Sequence, residues 1–495
     1  MIVPYFVLVP LGAAFLICLV GRSGHRLPAA LAMVSGVVLF FLALVSYVLV
    51  ERSGGRIVFA TGGWEVPWTI GFVLDYLSSY LLVTIGLITV AALVYSPAYM
   101  ARYTDPWKYY ALFQLLLAGM NGVVLTGDFF NLFVFMEITL LAAYALVGYG
   151  CEAEELEAAF KYTVMGAVTS AMILLGIGLV YALASSLNMA DVGQRLSGYR
   201  GPLLYLVYGL LFTGFGLKAA IMPFHAWLPD AHPSAPAPIS AMLSGVLIKA
   251  LGVYPLIRLF YHVFPAPAPI LHAFRLLGAV TILGGVLMAR AQFDLKRLLA
   301  FHSVSQIGYI VLGLGLGTFW GLLGAIFHLL NHAIFKALLF LNAGSIEYAL
   351  GTRDLREMGE LAKKMRPTAV TSMVASLSIS GIPPFNGFFS KLLLILAAFQ
   401  AGRPGYAVAA ALGSILTLAS FLKVQRYAFY GAAARKKEPA PVPRSMNLAM
   451  VFLAVLCLLS VALVLPGVKE LTLDKVAGNI LAYREYWQII PGGRP

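Results

Sequence analysis

Two histidines and a lysine recur at every fourth residue in IFHLLNHAIFK, residues 326–336. If this segment is a helix, His328, His332 and Lys336 form one stripe about 12 Å long, because residues i and i+4 share a helix face. Histidine titrates near neutral pH and passes protons through either ring nitrogen, so the spacing predicts a proton relay. The alternatives are a metal site, for which no third ligand is evident, and hydrogen bonding between helices.

The stripe lies in a chain that is mostly apolar. Of its 495 residues, 61% are hydrophobic and 11% are charged, with a mean hydropathy of +0.88. Apolar runs of about 20 residues are typical of membrane helices. The sequence predicts fourteen such spans, numbered here in chain order: 2–21, 28–49, 72–98, 108–125, 128–148, 157–185, 202–228, 236–260, 268–289, 299–316, 320–346, 369–396, 406–428 and 447–465. The predicted fold class is an all-α, multi-pass integral membrane protein.

Apart from the charged residues assigned to loops and the adjoining helix ends, four lysines and one glutamate lie within these spans: Glu137, Lys218, Lys249, Lys336 and Lys391. A charge at the bilayer centre costs about 2.5–3.5 kcal/mol and indicates a partner, a protein interior or a water-filled path. One carboxylate cannot pair with four ammonium groups, so some lysines must be neutral or hydrated. Desolvation disfavours a charged lysine and a nearby carboxylate favours it. We therefore predict that Glu137 and Lys218 form a protonation switch, with a static salt bridge as the alternative.

Two spans contain helix breakers beside a lysine. In GLKAAIMPFHAWLPDAHPSAP (216–236) Pro223 follows Lys218, and in SISGIPPFNGFFSK (378–391) Pro383 and Pro384 precede Lys391. Broken backbone is tolerated at membrane depth where it lines a water-filled cavity, and paired breaks point to inverted repeats with a site between them. His225 and His232, near the first break, are predicted either to take up protons from the cytoplasm or to cap backbone groups.

Basic residues outside the spans cluster in the odd-numbered loops. Cytoplasmic loops carry an excess of lysine and arginine, so these loops are predicted to be cytoplasmic and both termini to lie outside, in the plasma membrane of a prokaryote. The net charge of +13 then reflects membrane topology and not nucleic-acid binding. Asp75 and Asp128 lie at the starts of predicted helices, where an acid can face water and suits the helix dipole.

The sequence predicts no redox centre, metal site or cofactor. Cys18, Cys151 and Cys457 lack the spacing of an iron–sulfur ligand set. The glycines at 313, 315 and 317 follow no strand, so they do not form a dinucleotide-binding motif. The polar stretches are too short for a soluble domain. Whether the chain is part of an enzyme complex stays open at this point.

Five segments together resemble a known family: TGDFFNLFVFMEITLLAAYALVGY (126–149), GFGLKAAIMPFHAWLPDAHPSAPAPISAMLSGVLIKALGVY (214–254), AFHSVSQIGYI (300–310), IFHLLNHAIFKALLFLNAGSI (326–346) and SISGIPPFNGFFSK. They are similar to the antiporter-like subunits shared by Mrp-type multisubunit cation/proton antiporters, respiratory complex I and membrane-bound hydrogenases. The resemblance covers roughly residues 70 to 430. Within the family, the chain length and the wording TGDFFNLFVFMEI are most similar to the D-type subunit of Mrp antiporters, MrpD, or its hydrogenase counterpart.

This resemblance implies fourteen helices with two inverted five-helix repeats, spans 4–8 and 9–13, in which spans 7 and 12 are broken. The chain then divides into N-terminal helices (1–107), a first repeat (108–262), a second repeat (263–430) and a final loop, helix and tail (431–495). It also implies that protons move along a central axis of charged side chains. At matching positions these are Glu137, Lys218, Lys249, His328, His332, Lys336 and Lys391.

The predicted function is proton translocation by a membrane subunit of a multisubunit sodium/proton antiporter, in a complex with other membrane subunits. Two alternatives remain open. The chain is a proton-pumping membrane subunit of a redox enzyme such as a NADH–quinone oxidoreductase or a hydrogenase, or it is a transporter that works alone. No cluster of buried carboxylates suits a hard cation, so the sodium path is expected to lie in another subunit.

Overall fold

A computed structural model describes residues 2–21, 24, 26–65, 67–432 and 438–489. We label the main elements in chain order and mark the two parts of an interrupted helix a and b. They are α1 (Tyr5–Val20), α2 (Arg26–Arg52), β1 (Arg56–Ala60), β2 (Gly71–Asp75), α3 (Tyr76–Met100), α4 (Pro106–Leu125), α5 (Phe129–Val147), α6 (Ala153–Ala184), α7a (Pro202–Lys218), α7b (Leu228–Ser234), α8 (Ala237–Val263), α9 (Ala268–Ala291), α10 (Leu295–Leu316), α11 (Phe319–Leu350), α12a (Arg366–Ser380), α12b (Asn386–Gln400), α13 (Pro404–Tyr430), α14 (Arg444–Val464) and α15 (Leu473–Leu481).

Ten helices in the described ranges are long and apolar enough to cross a membrane: α2, α3, α5, α6, α8, α9, α10, α11, α13 and α14. Shorter apolar helices are α1, α7a and α12b. The 20 residues of α4 begin with proline at its first turn, where the missing N–H costs nothing. Helices therefore occupy the predicted spans, and the chain is mostly helical.

Three helices, α8, α10 and α11, form the centre of the protein. Their apolar segments are wholly buried, whereas α2 and α14 expose most of theirs. The central helices are also the ones that carry polar side chains along their length, including Lys249 on α8, His302 on α10 and the stripe on α11. Peripheral helices cover these groups, and this is the arrangement that a charge within a membrane requires.

The two predicted helix breaks are present. Helix α7a ends at Lys218, and α7b starts ten residues later, so the chain leaves the helix before Pro223. Helix α12a ends at Ser380, followed by Gly381 in the left-handed region (φ 75°). A side chain at Gly381 would be strained by that backbone conformation and would lie 3.1 Å from Cδ of Lys391.

The strictly all-α prediction is wrong in one segment, because β1 and β2 form an antiparallel hairpin that pairs Arg56 with Asp75. Span 3 was expected to begin at residue 72, but residues 71–75 are a strand and α3 starts at Tyr76. The segment GFVLD is apolar and runs directly into the helix, so hydropathy does not separate the strand from the helix. Asp75 marks the boundary by capping α3, accepting a hydrogen bond from the amide of Ser78 at 2.9 Å.

Asp75 does not face water as expected from the sequence, since it is buried against Arg258 near the end of α8. Two parallel contacts join them, Nη1 to Oδ2 at 2.7 Å and Nη2 to Oδ1 at 3.0 Å, with both side chains 2–3% exposed. Arg258 lies near residue 260, the predicted end of span 8, where exposure is the default. The structure shows that it is part of the protein interior.

The C-terminal tail folds over this ion pair. Arg258 donates to Nδ1 of His262 at 2.7 Å, and Nε2 of His262 lies 2.9 Å from the carbonyl oxygen of Asn479. Because arginine has no acceptor, Nδ1 must accept and Nε2 must carry the proton, which makes His262 neutral. The ring of Tyr486 stacks on His262 at 5.0 Å. The tail thus buries one face of α15 in the protein.

The helix ends fall into two groups, which we call the hairpin side and the basic side. The hairpin side contains β1, β2 and the tail, and backbone bridges join Phe72 to Thr126 and Asp128 to Asn188. On the basic side, Arg353 contacts Glu154 and Asp294, each at 3.1 Å.

The predicted orientation places the basic side in the cytoplasm, and thiol labelling tests it. In a Cys18→Ser background, Cys151 is exposed on the basic side and should react with a membrane-impermeant maleimide only in inverted vesicles. A Ser53→Cys variant that also carries Cys18→Ser and Cys151→Ser places a thiol at the end of α2 on the hairpin side and should react only in right-side-out vesicles. Buried Cys457 should stay unlabelled in both. The opposite pattern would show that the orientation is reversed.

Candidate functional site: a buried series of lysines and histidines

All four lysines predicted from the spans are buried in the protein. They are Lys218, Lys249, Lys336 and Lys391, and none is more than 3% exposed. Within the described part of the chain none of them forms an ion pair. Each ammonium group instead donates to a backbone carbonyl oxygen: Gly166 for Lys218, Ser244 for Lys249, Leu299 for Lys336 and Ile379 for Lys391. Charge compensation by a directly bonded carboxylate is therefore not how this site is built.

Glu137 and Lys218 each form a hydrogen bond to helix α6. The half-buried carboxylate of Glu137 accepts a hydrogen bond from Ser170 Oγ, and Lys218 Nζ donates to Gly166 O at 3.3 Å. Gly166 and Ser170 are one turn apart on α6, so this helix links the two charged groups. The direct pair predicted from the sequence is not formed in this arrangement.

Lys249 lies where α8 departs from α-helical geometry. The segments Leu243–Leu247 and Lys249–Val253 have π-helical hydrogen bonding. The amide of Ile248 bonds to the carbonyl oxygens of Leu243 and Val246, so it does not occupy that of Ser244, its usual α-helical partner. The Ser244 carbonyl accepts the Lys249 ammonium group instead. Single π turns within helices are frequent at functional sites.

The break in α12 releases a carbonyl group for Lys391. In a continuous helix the carbonyl oxygen of Ile379 would bond to the amide of residue 383, but Pro383 has no N–H. The Ile379 oxygen accepts the Lys391 ammonium group at 2.6 Å. Pro384 frees the next oxygen, that of Ser380, which accepts Ser414 Oγ at 2.7 Å. The prolines thus create the acceptors that hold the lysine and its neighbour.

The predicted stripe exists on α11. His328, His332 and Lys336 are fully buried, and the two imidazole centroids lie 6.2 Å apart. Nδ1 of His328 is 2.9 Å from Ser390 Oγ, and Ser390 directly precedes Lys391. Nε2 of His328 and both nitrogens of His332 have no hydrogen-bond partner among the described residues. Buried polar atoms of this kind are where internal water binds.

The two histidines near the first break occupy different environments. His232 on α7b is fully buried and neither ring nitrogen has a partner among the described residues. Its ring lies 5.8 Å from that of Phe340, over which the Lys336 ammonium group is placed at 5.0 Å. His225 is only half-buried, in the irregular segment between α7a and α7b. The structure therefore brings His232, but not His225, to the stripe.

Sequence reasoning missed His302, which the structure places between the stripe and α13. It is fully buried on α10, and its Nε2 lies 2.8 Å from Ser420 Oγ. The signal was present, because His302 lies in an apolar span within AFHSVSQ, next to two serines and a glutamine.

A network of amides and hydroxyls at the second break was also missed. Asn386, the first residue of α12b, donates to Ser460 Oγ on α14 at 2.9 Å. Asn331, which precedes His332, donates to the Asn386 carbonyl oxygen at 3.1 Å. Ser460 donates back to Asn331 Oδ1 at 3.3 Å, and Ser378 donates to Asn386 Oδ1. These bonds fix the start of α12b, and hence Ser390 and Lys391, relative to the stripe.

A buried series of ionisable groups in broken and distorted membrane helices is the hallmark of a class of ion-translocating proteins, and comparison with known proteins agrees. The family described as NADH:quinone oxidoreductase/Mrp antiporter, TM matches residues 126–417, more than half of the chain. The chain belongs to this family of membrane antiporter-like subunits.

Similar proteins come from several kinds of complex. The chain is 36% identical to NADH-quinone oxidoreductase subunit N of Desulforudis audaxviator, over 99% of this chain and 98% of that protein. It is 35% identical to the D-type subunit of the Na(+)/H(+) antiporter of Alkalihalophilus pseudofirmus, over 82% and 83%. It is 34% identical to hydrogenase-4 component B of Escherichia coli, of which it covers 61%.

Two solved structures share the whole fold. A chain of the Mrp complex from Dietzia sp. DQ12-45-1b superposes with a TM-score of 0.89 at 31% identity, covering 98% of both chains. A chain of the archaeal membrane-bound sulfane sulfur reductase superposes with a TM-score of 0.90 at 28% identity, covering 98% of this chain and 99% of that one. Both are multisubunit membrane complexes.

The Asn386 network predicts a specific loss of stability. In a Ser460→Ala variant, Asn386 Nδ2 loses its partner in the protein interior, which costs about 1–3 kcal/mol. We expect a lower thermal unfolding midpoint for the purified protein in detergent. Ser445→Ala, at the start of the same helix, is the matched control and should leave the midpoint unchanged. Equal midpoints for both variants would show that the network does not hold α12b.

Proposed function

We propose that this chain is the proton-translocating subunit of a multisubunit sodium/proton antiporter. Protons move along Glu137, Lys218 and Lys249, then through the stripe of His328, His332 and Lys336, and on to Lys391. The observation that carries the proposal is the set of four buried lysines that are bonded to carbonyl oxygens and not to carboxylates. A lysine held in this way can gain or lose a proton without breaking an ion pair.

Neighbouring lysines make the transfer sequential. Lys249 and Lys336 are both buried in the protein interior, where like charges repel more strongly than in water, so protonation of both at once is unfavourable. Movement of Glu137 relative to Lys218 adds a switch at the start of the path. Because Ser170 and Gly166 lie on one face of α6, a small shift of this helix changes the contacts of both groups together.

Protons are taken up on the basic side. A cavity of about 230 Å³ there is bordered by Asp230, Ser234 and Asp294. Asp230 and Ser234 lie on α7b, the same short helix as His232. Burial raises the pKa of the Asp294 carboxyl, which lies between α9 and α10. A carboxyl that holds its proton more tightly suits collection from the cytoplasm. From this cavity His232 leads to Lys336, and His225 lies closer to solvent.

The number of membrane spans, the inverted repeats and the orientation of the chain are part of the same proposal. Fourteen membrane spans are obtained when α1, α4 and the two interrupted helices, α7 and α12, are added to the ten long ones. The two interruptions each lie beside a buried lysine, which supports inverted repeats over 108–262 and 263–430, with 1–107 and 431–495 as flanking units. The basic side faces the cytoplasm, and both termini lie outside the plasma membrane.

Sodium takes a different route, through a partner subunit. The central groups of this chain are lysines and histidines, which repel or do not coordinate a hard cation. The likeness to the D-type subunit of a sodium/proton antiporter and to a chain of the Mrp complex supports membrane subunits as the partners. The chain works without a cofactor of its own.

A second candidate function rests on a specific observation. The identity to NADH-quinone oxidoreductase subunit N equals that to the D-type antiporter subunit within one percentage point and covers more of both chains. The same proton path would then be driven by electron transfer elsewhere in a redox complex. The residues described above carry out identical steps in either setting, so the partner subunits decide between the two.

Purification of the chain with its native partners tests the proposal. We expect the complex in liposomes to move protons in response to a sodium gradient, measured with a pH-sensitive dye inside the vesicles, and the isolated chain to be inactive. Proton movement that requires an electron donor and co-purified redox subunits would establish the second candidate. Sodium-driven flux by the chain alone would identify an independent transporter and contradict both.

Three substitutions test the path itself. Glu137→Ala, Lys218→Ala and Lys391→Ala each remove a group that accepts and releases the proton, so we expect proton flux by the reconstituted complex to fall by about 10² or more. Immunoblotting of the membranes should show normal amounts of each variant. Lys363→Ala, an exposed lysine on the basic side, is the matched control. Normal flux in any of the three variants removes that residue from the path.

A further inference from the structure

A cavity of about 790 Å³ lies on the hairpin side, away from the lysines and histidines of the proton path. It is enclosed by three parts of the chain: the loop before α7a, the loop between α8 and α9, and the end of the C-terminal tail. Its volume is within the range of small-molecule sites, about 300–1,000 Å³. The proton path does not use it.

The charge in this cavity is positive and uncompensated. Arg200 and Arg484 line it, and among the described residues that line it none is acidic. Neither arginine forms an ion pair within the described part of the chain. Arg200 Nη1 donates only to the adjacent carbonyl oxygen of Tyr199, at 2.9 Å. The remaining N–H groups of both guanidinium forks are available, and such forks match the oxygens of a phosphate.

Two helices begin at the same cavity. Helix α7a starts at Pro202 and α9 at Ala268, and neither has a side chain that caps its first amides. The positive end of each helix dipole therefore adds to the charge of the arginines. All of these features favour an anion, and nothing among the described lining residues opposes one.

The cavity also borders a surface suited to lipid. Tyr205 and Leu206, in the first turns of α7a, are 55% and 51% exposed. Tyr205 and Trp487 line the cavity, and tyrosine and tryptophan are the residues enriched at the level of lipid headgroups. Trp487 is fixed in place by its Nε1–H bond to the His262 carbonyl oxygen at 2.7 Å.

We propose that this cavity binds a phosphate-bearing anion, supplied either by the headgroup of an anionic phospholipid or by soluble phosphate. Arg200 and Arg484 hold the phosphate oxygens, and the starts of α7a and α9 contribute their dipoles. With a phospholipid, the acyl chains would run along the exposed surface of α7a. Occupancy would tie the tail to the loops before α7a and α9. The site does not depend on proton transport.

The full chain purified in a mild detergent is the sample for the test. We would measure its thermal unfolding midpoint, and bound lipid by native mass spectrometry, after adding phosphatidylglycerol, phosphatidylcholine or sodium phosphate, with sodium chloride at the same ionic strength as the salt control. We expect phosphatidylglycerol to bind and to raise the midpoint more than phosphatidylcholine does. A response to phosphate but not to phosphatidylglycerol would identify the soluble source and still support the site.

The matched variants are Arg200→Gln with Arg484→Gln, and Arg403→Gln, an exposed arginine in the loop before α13. Loss of both arginines should weaken binding at least about tenfold, whereas Arg403→Gln should bind like the wild type. If the double variant does not purify, the two single variants take its place, and each should bind more weakly. Equal binding by wild type and variants, an equal response to both lipids, or no response to lipid or phosphate would overturn the proposal.

Discussion

A buried ammonium group needs an acceptor, and this requirement shapes the protein more than any other. In an ordinary helix the carbonyl oxygens are already bonded along the backbone, so a lysine within a membrane finds few of them free. For two of the four lysines the oxygens come from departures from the α-helix, a π-helical turn for Lys249 and a proline pair for Lys391. Lys218 and Lys336 instead donate to carbonyl oxygens within α6 and α10. The irregular backbone and the lysines that it holds, Lys249 and Lys391, therefore depend on each other. A buried carbonyl oxygen without a donor, or a buried ammonium group without an acceptor, would be costly.

This choice of acceptor also bears on function. A carboxylate bonded directly to a lysine would stabilise the charged form strongly and hold the proton in place. A carbonyl dipole solvates the charge and leaves the neutral lysine acceptable as well. The only carboxylate of the series, Glu137, lies at the edge of the group and is linked to Lys218 through α6. It can thus influence the first lysine without trapping a proton in the centre.

The sequence predicted the ionisable residues and the two breaks because both are anomalies in apolar segments, visible without a partner. His328 or Lys391 cannot lie in hydrocarbon without a reason. The sequence did not predict the burial of Asp75 with Arg258, since each lies near the end of a span, where exposure is the default. Asn386 and Ser460 are distant in sequence and uncharged, so only the fold shows that they meet. Strand β2 was hidden because its apolar residues continue into a helix.

The C-terminal tail that covers the Asp75–Arg258 ion pair has a consequence for the order of folding. Asp75 is synthesised about 400 residues before Asn479 and Tyr486, which complete its enclosure through His262. During translation the translocon must therefore hold a membrane domain whose ion pair is still open to water. The ion pair is therefore enclosed only after the tail has been synthesised, which makes this corner one of the latest parts of the fold to form.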